Sequence, residues 1–168
     1  MKKIAIFILL FFNFICDAQV KPIKVYVFVA EECPISIFMC SSLKNIAEVY
    51  SDKADFILVF PLKTSTLKTA NKFKSKNKLQ QFAVRMDNQQ TFTKQMGATV
   101  TPEVVIADSL NEVLYRGRIN DAYLEPGKRR HIYNHNDLDN ALSLITNGKE
   151  VPKPWKQAVG CYITFSRH

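Results

Sequence analysis

Cys33 is the residue of this sequence with the clearest capacity for chemistry. It follows residues 24–30, which are rich in β-branched and aromatic side chains and predict a buried strand, and it precedes a helical pattern over residues 36–50. A sulfur at such a junction lies at the helix N-terminus, where free N–H groups and the helix dipole stabilise a thiolate. Pro34 suits the first turn of that helix. We therefore predict that Cys33 is a nucleophile; the alternative is a small buried apolar residue.

Two further cysteines follow Cys33 in the chain. Cys40 lies about two helical turns later, or ~10 Å along the axis at ~1.5 Å per residue, which exceeds the Cα separation of a disulfide. It falls in the apolar stripe of the helix, so we predict a core residue. Cys161 is the candidate resolving thiol, because thirteen residues from Gly148 span up to ~45 Å, enough to return across a small domain. We expect a Cys33–Cys161 disulfide or, alternatively, a free Cys161 on a tail strand that packs elsewhere.

The N-terminus predicts export. Lys2 and Lys3 precede an apolar run over residues 4–12, which is too short to cross a bilayer, and small residues around Ala18 mark a cleavage point. We predict a signal peptide over residues 1–18, cleaved to give a periplasmic or secreted protein; the alternative is an uncleaved anchor. Three cysteines then remain, and an odd number in an oxidising compartment leaves a thiol unpaired or indicates a redox role.

The periodicity of the rest of the chain predicts an α/β protein. Strands and helices alternate in the order β-α-β-α-β-α-β-β-α. The predicted strands are 24–30, 54–60, 81–86, 103–107 and 112–118, the predicted helices are 36–50, 65–76, 91–96 and 137–145, and residues 120–136 form a loop. This alternation predicts a mostly parallel central sheet with helices on both faces and an antiparallel hairpin at its end. We expect one domain over residues 19–148 and an extended C-terminal tail over residues 149–168.

Four short motifs occur in the order found in one group of proteins. They are Cys-Pro-Ile-Ser at 33–36, Thr-Pro-Glu at 101–103, Tyr-Arg-Gly-Arg-Ile at 115–119 and Gly-Cys at 160–161. With the predicted element order, they resemble the thioredoxin-like superfamily, and within it a peroxiredoxin-like redoxin group of the alkyl hydroperoxide reductase and thiol-specific antioxidant kind. The resemblance implies a thioredoxin-like fold, thiol–disulfide chemistry at Cys33, and a cis Pro102 that faces this cysteine.

The chain departs from the thioredoxin pattern at Ser36. This residue stands where thioredoxins carry their second, resolving cysteine, and a serine cannot close a disulfide. The resemblance therefore implies a monothiol mechanism or a resolving thiol from elsewhere, for which Cys161 is the internal candidate. The Ser36 hydroxyl either donates a hydrogen bond to the Cys33 thiolate or caps the helix. A cis Pro102 would leave the preceding backbone free to pair with a substrate chain. The predicted catalytic residues are thus Cys33, Ser36, Pro102 and Cys161.

Two other functions fit the same sequence. Peroxiredoxins carry Thr or Ser where this chain has Ala30, and Arg where it has Pro102. A peroxide therefore finds no polarising cradle unless Arg116 or Arg118 faces inward. A peroxidase is the second hypothesis. The third is a non-catalytic binding module for a protein or a metal, which the serine at position 36 favours.

The net charge and the positions of the histidines indicate which kinds of partner and ligand to expect. The formal net charge is +8, but many lysines lie within residues 68–78 at helical spacing with few aromatics, which is typical of a solvated helix face. We expect protein or small-molecule thiols and disulfides as partners and no nucleic acid, with contact to an anionic membrane surface left open. His131 and His135 are spaced as on one helical face, but a solvated basic loop over residues 128–135 is the favoured interpretation. We therefore predict no metal and no organic cofactor.

Overall fold

The structure is a computed structural model that describes residues 23–165, and the predicted signal peptide lies outside this range. The elements in chain order are β1 (Ile23–Phe28), α1 (Pro34–Val49), β2 (Ala54–Phe60), α2 (Leu67–Lys76), β3 (Ala83–Met86), α3 (Thr91–Met96), β4 (Val100–Thr101), β5 (Glu103–Ala107), β6 (Val113–Gly117), β7 (Tyr123–Glu125), β8 (Lys128–Arg129), α4 (Asp137–Thr146) and β9 (Cys161–Tyr162). Every predicted helix and strand forms, and each of its ends lies within two residues of the prediction.

Five strands form the central sheet in the order β3-β2-β1-β5-β6. Strand β1 pairs in parallel with β2, with Val25 opposite Phe56, and antiparallel with β5, with Val25 opposite Ile106. Because β3 runs parallel to β2 and β6 antiparallel to β5, four of the five strands point the same way. The β5–β6 hairpin forms one edge. The prediction of a mostly parallel sheet that ends in an antiparallel hairpin is confirmed.

Alternation along β1 divides the core into two clusters, one on each face of the sheet. Val25 and Val27 lie in the larger cluster with buried residues of α1, α2 and α4, whereas Tyr26 and Phe28 face α3 on the other side. Both sets of side chains are buried, which explains why β1 is apolar except at Lys24. Helices therefore cover both faces, as predicted. Within residues 23–165, no helix has the length and apolar character needed to cross a membrane.

Helix α1 begins two residues earlier than its periodicity predicted, at Pro34 instead of Ser36. Cys33 is the N-cap residue, with the extended backbone angles (φ −77°, ψ 115°) usual at that position. Proline is favoured next because the N–H groups of the first turn have no helical acceptor. The apolar stripe of α1, which includes Cys40 and Leu43, packs into the larger cluster. The sulfur of Cys33 is thereby held at the start of a long, well-anchored helix.

The predicted loop at residues 120–136 contains the short hairpin β7–β8. Its turn includes Gly127 with φ +84°, in the left-handed region that glycine adopts without strain. The Asp121 carboxylate accepts hydrogen bonds from the backbone N–H groups of Asn134 and His135, both at 3.0 Å. This basic segment is therefore ordered by a glycine-containing turn and by the buried Asp121 carboxylate. Neither feature produces an alternating apolar pattern in the sequence, so the hairpin was not predicted.

The C-terminal tail packs back across the domain. The Trp155 ring lies beside Tyr115, with ring centroids 6.0 Å apart, and the Arg118 N–H donates to the Lys156 carbonyl at 3.1 Å. Strand β9 then pairs antiparallel with β4. Within the described part of the predicted extended tail, the two residues of β9 form regular strand. The tail thus reaches the segment of the fold that precedes β5.

Leu43→Ala tests the contribution of α1 to the core. Leu43 is completely buried, so loss of its side chain leaves a cavity, and we expect the free energy of unfolding to fall by about 2–5 kcal/mol. Val49→Ala, at an exposed position of the same helix, should change it by no more than about 0.5 kcal/mol. Urea denaturation followed by circular dichroism measures both values. Equal losses in the two variants would contradict this packing of α1.

Candidate active site

Cys33 lies where the chain leaves β1 and turns into α1. Its backbone N–H donates to the Ala30 carbonyl at 3.2 Å, and its own carbonyl accepts from the Ile37 N–H at 3.0 Å in the first turn of the helix. The sulfur therefore lies at the N-terminal end of α1, where the helix dipole favours a negative charge. Cys33 is only 4% exposed, although its neighbours Glu32 and Pro34 are at the surface. A bulky reagent would meet the surrounding chain before it met the sulfur.

The segment before Pro102 faces this sulfur. The Thr101–Pro102 peptide bond is cis, as the resemblance implied. The protonated Cys33 thiol donates a hydrogen bond to the Thr101 carbonyl at 3.1 Å. Thr101 and Pro102 are both buried. Two segments that are distant in the sequence thus meet at Cys33.

Ser36 is completely buried in the first turn of α1. Its hydroxyl accepts a hydrogen bond from the Ala30 N–H at 3.4 Å. Its backbone and its hydroxyl also hydrogen-bond to Cys33, and both contacts favour the thiolate. The N-cap of the helix is Cys33, so the interpretation of Ser36 as the cap is wrong. The alternative interpretation, a hydrogen bond from the Ser36 hydroxyl to the sulfur, agrees with the direction in which Ser36 shifts the pKa of Cys33.

Cys161 is the second sulfur of the site. The β4–β9 register places it directly opposite Thr101, whose hydroxyl donates to the Cys161 carbonyl at 3.4 Å. The Cys161 side chain is hydrogen-bonded to Cys33. Both cysteines are free thiols in the structure. The four residues predicted from the sequence, Cys33, Ser36, Pro102 and Cys161, are therefore neighbours.

The surroundings of the two thiols give them different acidities. Burial alone would raise the pKa of Cys33, but hydrogen bonds from the Cys161 side chain and from the Ser36 backbone and hydroxyl bring this pKa below its ordinary value. Burial raises the pKa of Cys161 to about 11, and its hydrogen bond to Cys33 and the charge of the Cys33 sulfur act in the same direction. Cys33 therefore ionises first, while Cys161 stays protonated and donates to it.

Gly160 allows the tail to approach β4 this closely. A Cβ atom at this position would clash with the Thr101 carbonyl oxygen and would lie 3.1 Å from the Pro102 nitrogen. Only a residue without a side chain therefore fits between the tail and β4. The glycine immediately before Cys161 is the sequence signal that could have indicated this contact.

A buried carboxylate holds β4 in position. Glu103 is 5% exposed and accepts hydrogen bonds from the N–H groups of Thr99 at 2.8 Å and Val100 at 3.3 Å. Arg116 pairs with the same carboxylate at 3.7 Å. These contacts fix the backbone that leads into Thr101. The Thr-Pro-Glu motif drew attention to its proline, and the role of the glutamate was missed.

Each of the two arginines that could serve the peroxidase hypothesis is engaged by a carboxylate. Arg116 pairs with Glu103, and Arg118 donates to Asp137 at 2.7 Å. Ala30, at the other position of the peroxiredoxin pattern, has no hydroxyl to offer. A peroxide at Cys33 would therefore lack the preorganised donors that polarise its O–O bond.

Cys40 is a core residue, as predicted. It is 3% exposed, and its thiol donates to the Ser36 carbonyl at 3.2 Å. Burial raises the pKa of Cys40 to about 12, so this thiol stays protonated at neutral pH. Cys40 therefore supports α1 and takes no part in the chemistry of the site.

Two histidines and three lysines that the sequence analysis considered lie at the surface. His131 and His135 are exposed in the irregular segment between β8 and α4, so they do not share a helical face. Among the residues that the structure describes, no group of three His, Cys, Asp or Glu side chains is placed to hold a metal ion. Lys68, Lys72 and Lys76 are exposed along α2, as expected for a solvated helix face.

Alkylation of Cys33 should report its lowered pKa. We expect the rate with iodoacetamide to rise with pH and to level off below the range of an ordinary cysteine, because only the thiolate reacts. Ser36→Ala removes a donor to the sulfur and should move the midpoint to higher pH. Ser41→Ala, at an exposed position of the same helix, is the matched control and should leave it unchanged. Mass spectrometry of the modified peptides gives each rate, and an ordinary midpoint in the unsubstituted protein would refute the assigned hydrogen bonds.

Comparisons with known proteins bear on the fold. No protein-family model and no curated protein matches the sequence. Among solved structures, a hypothetical protein from Sinorhizobium meliloti has a TM-score of 0.75 at 21% identity, over 89% of this chain and 82% of that chain. An uncharacterized conserved protein from Geobacillus kaustophilus also has a TM-score of 0.75 at 21% identity, over 88% of this chain and 79% of that chain.

A third structure has a described activity. It is a secreted disulfide oxidoreductase from Mycobacterium tuberculosis, homologous to DsbE of Escherichia coli, with a TM-score of 0.53 at 15% identity over 75% of this chain and 84% of that chain. At such identities the likeness concerns the fold, and the peroxiredoxin-like group stays a prediction. Together with the sheet order and the cis proline beside Cys33, these structures show that the chain has the thioredoxin-like fold.

Proposed function

We propose that this chain is a thiol–disulfide oxidoreductase in which Cys33 is the nucleophile and Cys161 is the resolving thiol. The observation that carries the proposal is the meeting of these two thiols beside β4, with the pKa of the first lowered and that of the second raised. An acidic thiol at a helix N-terminus attacks disulfides, and an adjacent thiol resolves the product. Cys161 supplies the second thiol that is absent at Ser36.

In the first step, the Cys33 thiolate attacks one sulfur of a substrate disulfide. A bond forms between Cys33 and that sulfur, the substrate S–S bond breaks, and the other half of the substrate leaves as a thiolate. Hydrogen bonds from Ser36 orient the attacking sulfur and favour its ionised form. The product is a mixed disulfide between Cys33 and half of the substrate.

In the second step, Cys161 attacks the Cys33 sulfur of the mixed disulfide. Cys33 carries no charge in this intermediate, so one cause of the raised pKa of Cys161 is removed and its thiol ionises more readily. Its proton passes to the thiolate released earlier. A Cys33–Cys161 bond forms, and the second half of the substrate leaves as a thiolate. The protein has lost two electrons to the substrate disulfide, and a thiol reductant reverses both steps.

Export belongs to the same proposal. The signal peptide predicted over residues 1–18 would deliver the chain to a periplasmic or extracellular space, where disulfides form and persist. Protein or small-molecule thiols and disulfides are the partners that this chemistry requires. The net positive charge of the chain would favour contact with an anionic membrane surface.

Mild oxidation tests the assigned roles. Treatment of the reduced protein with a small disulfide should cross-link Cys33 to Cys161, and peptide mass spectrometry identifies the pair. Cys161→Ser should stop at the mixed disulfide on Cys33, and Cys33→Ser should form neither product. Cys40→Ala is the matched control and should still give the cross-link, because Cys40 is buried with its pKa raised to about 12.

Three results would overturn the proposal in different ways. A Cys33 thiol that stays inert until the protein is unfolded would favour the binding module. A mixed disulfide that persists in the unsubstituted protein would remove Cys161 as the resolving thiol. Consumption of hydrogen peroxide faster than by free cysteine would favour the peroxidase, which we do not expect because Arg116 and Arg118 are paired with carboxylates.

A further inference from the structure

The backbone edge beside Cys33 is occupied by the protein's own tail. A cis Pro102 was expected to leave the preceding residues free to pair with a substrate chain. Instead, β9 pairs antiparallel with β4, with Tyr162 opposite Val100 and Cys161 opposite Thr101. The hydrogen-bonding groups that would receive an extended polypeptide are therefore already used.

The tail is fixed on the N-terminal side of this pairing. The Trp155 ring packs beside Tyr115, and the Lys156 carbonyl accepts from the Arg118 N–H at 3.1 Å. Trp155 also packs against the larger core cluster. Contacts that do not belong to the β4–β9 pairing thus fix the position from which the tail reaches β4.

The tail is also fixed on the C-terminal side. The Ile163 N–H donates to the Thr99 carbonyl at 2.9 Å, and the Ile163 side chain is 5% exposed within the core cluster that faces α3. The Gln90 side-chain amide donates to the Thr164 carbonyl at 2.9 Å. Displacing β9 would uncover an apolar side chain and break these bonds, so the pairing is part of the folded core.

The close contact at Gly160 leaves no space for another chain. Its backbone lies against the Thr101 carbonyl and the Pro102 nitrogen so closely that even a Cβ atom would clash. The low exposure of Cys33 adds to this restriction. A small disulfide needs no backbone partner in order to react with a sulfur, whereas a polypeptide that needs backbone pairing cannot approach β4.

We infer that residues 160–163 close the peptide-binding edge of the site, so that its substrates are low-molecular-weight disulfides. This inference rests on the proposed function and narrows its substrate class. The chemistry is unchanged: Cys33 bonds to one sulfur of the small disulfide, its partner leaves as a thiolate, and Cys161 then displaces the second half. Extended polypeptide disulfides are excluded by the occupied strand edge, whatever their sequence.

The test compares two substrates that share one leaving thiol. The first is the symmetrical disulfide of mercaptoethanol, and the second is an extended peptide whose single cysteine carries a mixed disulfide with mercaptoethanol. The reaction of the full-length reduced protein is quenched with acid at early times, and mass spectrometry gives the rate at which Cys33 gains a mercaptoethanol adduct from the first substrate and a peptide adduct from the second. We expect the small disulfide to react about tenfold faster or more. The ratio of the two rates cancels any change in the intrinsic reactivity of Cys33.

Variants of the tail test whether β9 sets this ratio. Gly160→Ala forces the tail away from Thr101 and should bring the ratio toward one. Ile163→Ala weakens the anchor in the core and should act in the same direction if Gly160→Ala does not fold. Gln157→Ala, at an exposed position of the same tail, is the matched control and should keep the preference of the unsubstituted protein.

The possible results separate this inference from the proposed function. A ratio near one in the unsubstituted protein, with adducts on Cys33 from both substrates, would overturn the inference and leave the oxidoreductase intact. An unchanged preference in both tail variants would show that β9 is not the cause and would also overturn it. No adduct from either substrate would refute the oxidoreductase, and the inference with it.

Discussion

The pairing of β4 with β9 is the interaction on which the site depends. It sets Cys161 opposite Thr101, whose carbonyl already lies within hydrogen-bonding distance of the Cys33 sulfur. Each side of the pairing has its own support, because Glu103 holds the backbone before Thr101 and buried Ile163 holds the tail. The central sheet does not include either strand. The geometry of the two sulfurs is therefore determined by a small local sheet added to a regular fold.

Cys33 is buried and Cys161 is partly buried. Two neighbouring thiols in such a site carry one negative charge more easily than two negative charges. The helix N-terminus and the hydrogen bonds from Ser36 favour the negative charge on the Cys33 sulfur. The charge on Cys33 in turn keeps Cys161 protonated. Once Cys33 forms a covalent bond to another sulfur, the charge and its effect on Cys161 disappear together. In the proposed mechanism, the order of the two steps follows from this difference in charge. A serine at position 36 suits this arrangement because it donates hydrogen bonds without adding a competing thiol.

Periodicity and motif order were sufficient to predict the five strands of the central sheet, the four helices, the fold class and the four residues that gather at the site. Strand β1 and helix α1 are long enough to show their patterns, and Thr-Pro-Glu marks the proline beside Cys33. The β4–β9 pairing could not be predicted in this way, since two-residue strands have no period and their contact depends on the missing side chain of Gly160. Cys33 is buried, as expected from its alternative interpretation as a small buried apolar residue.

The order of the two sulfurs along the chain has a consequence for how the protein matures. Cys33 belongs to the first strand-helix unit, and Cys161 belongs to the last strand. A chain that has folded only its early segments carries an ionisable thiol with no internal partner, open to whatever oxidant is nearby. Cys161 comes to lie beside Cys33 only when β9 pairs with β4, and Ile163 then packs into the cluster that faces α3. The meeting of the two thiols therefore requires elements from both ends of the described chain to be in place together.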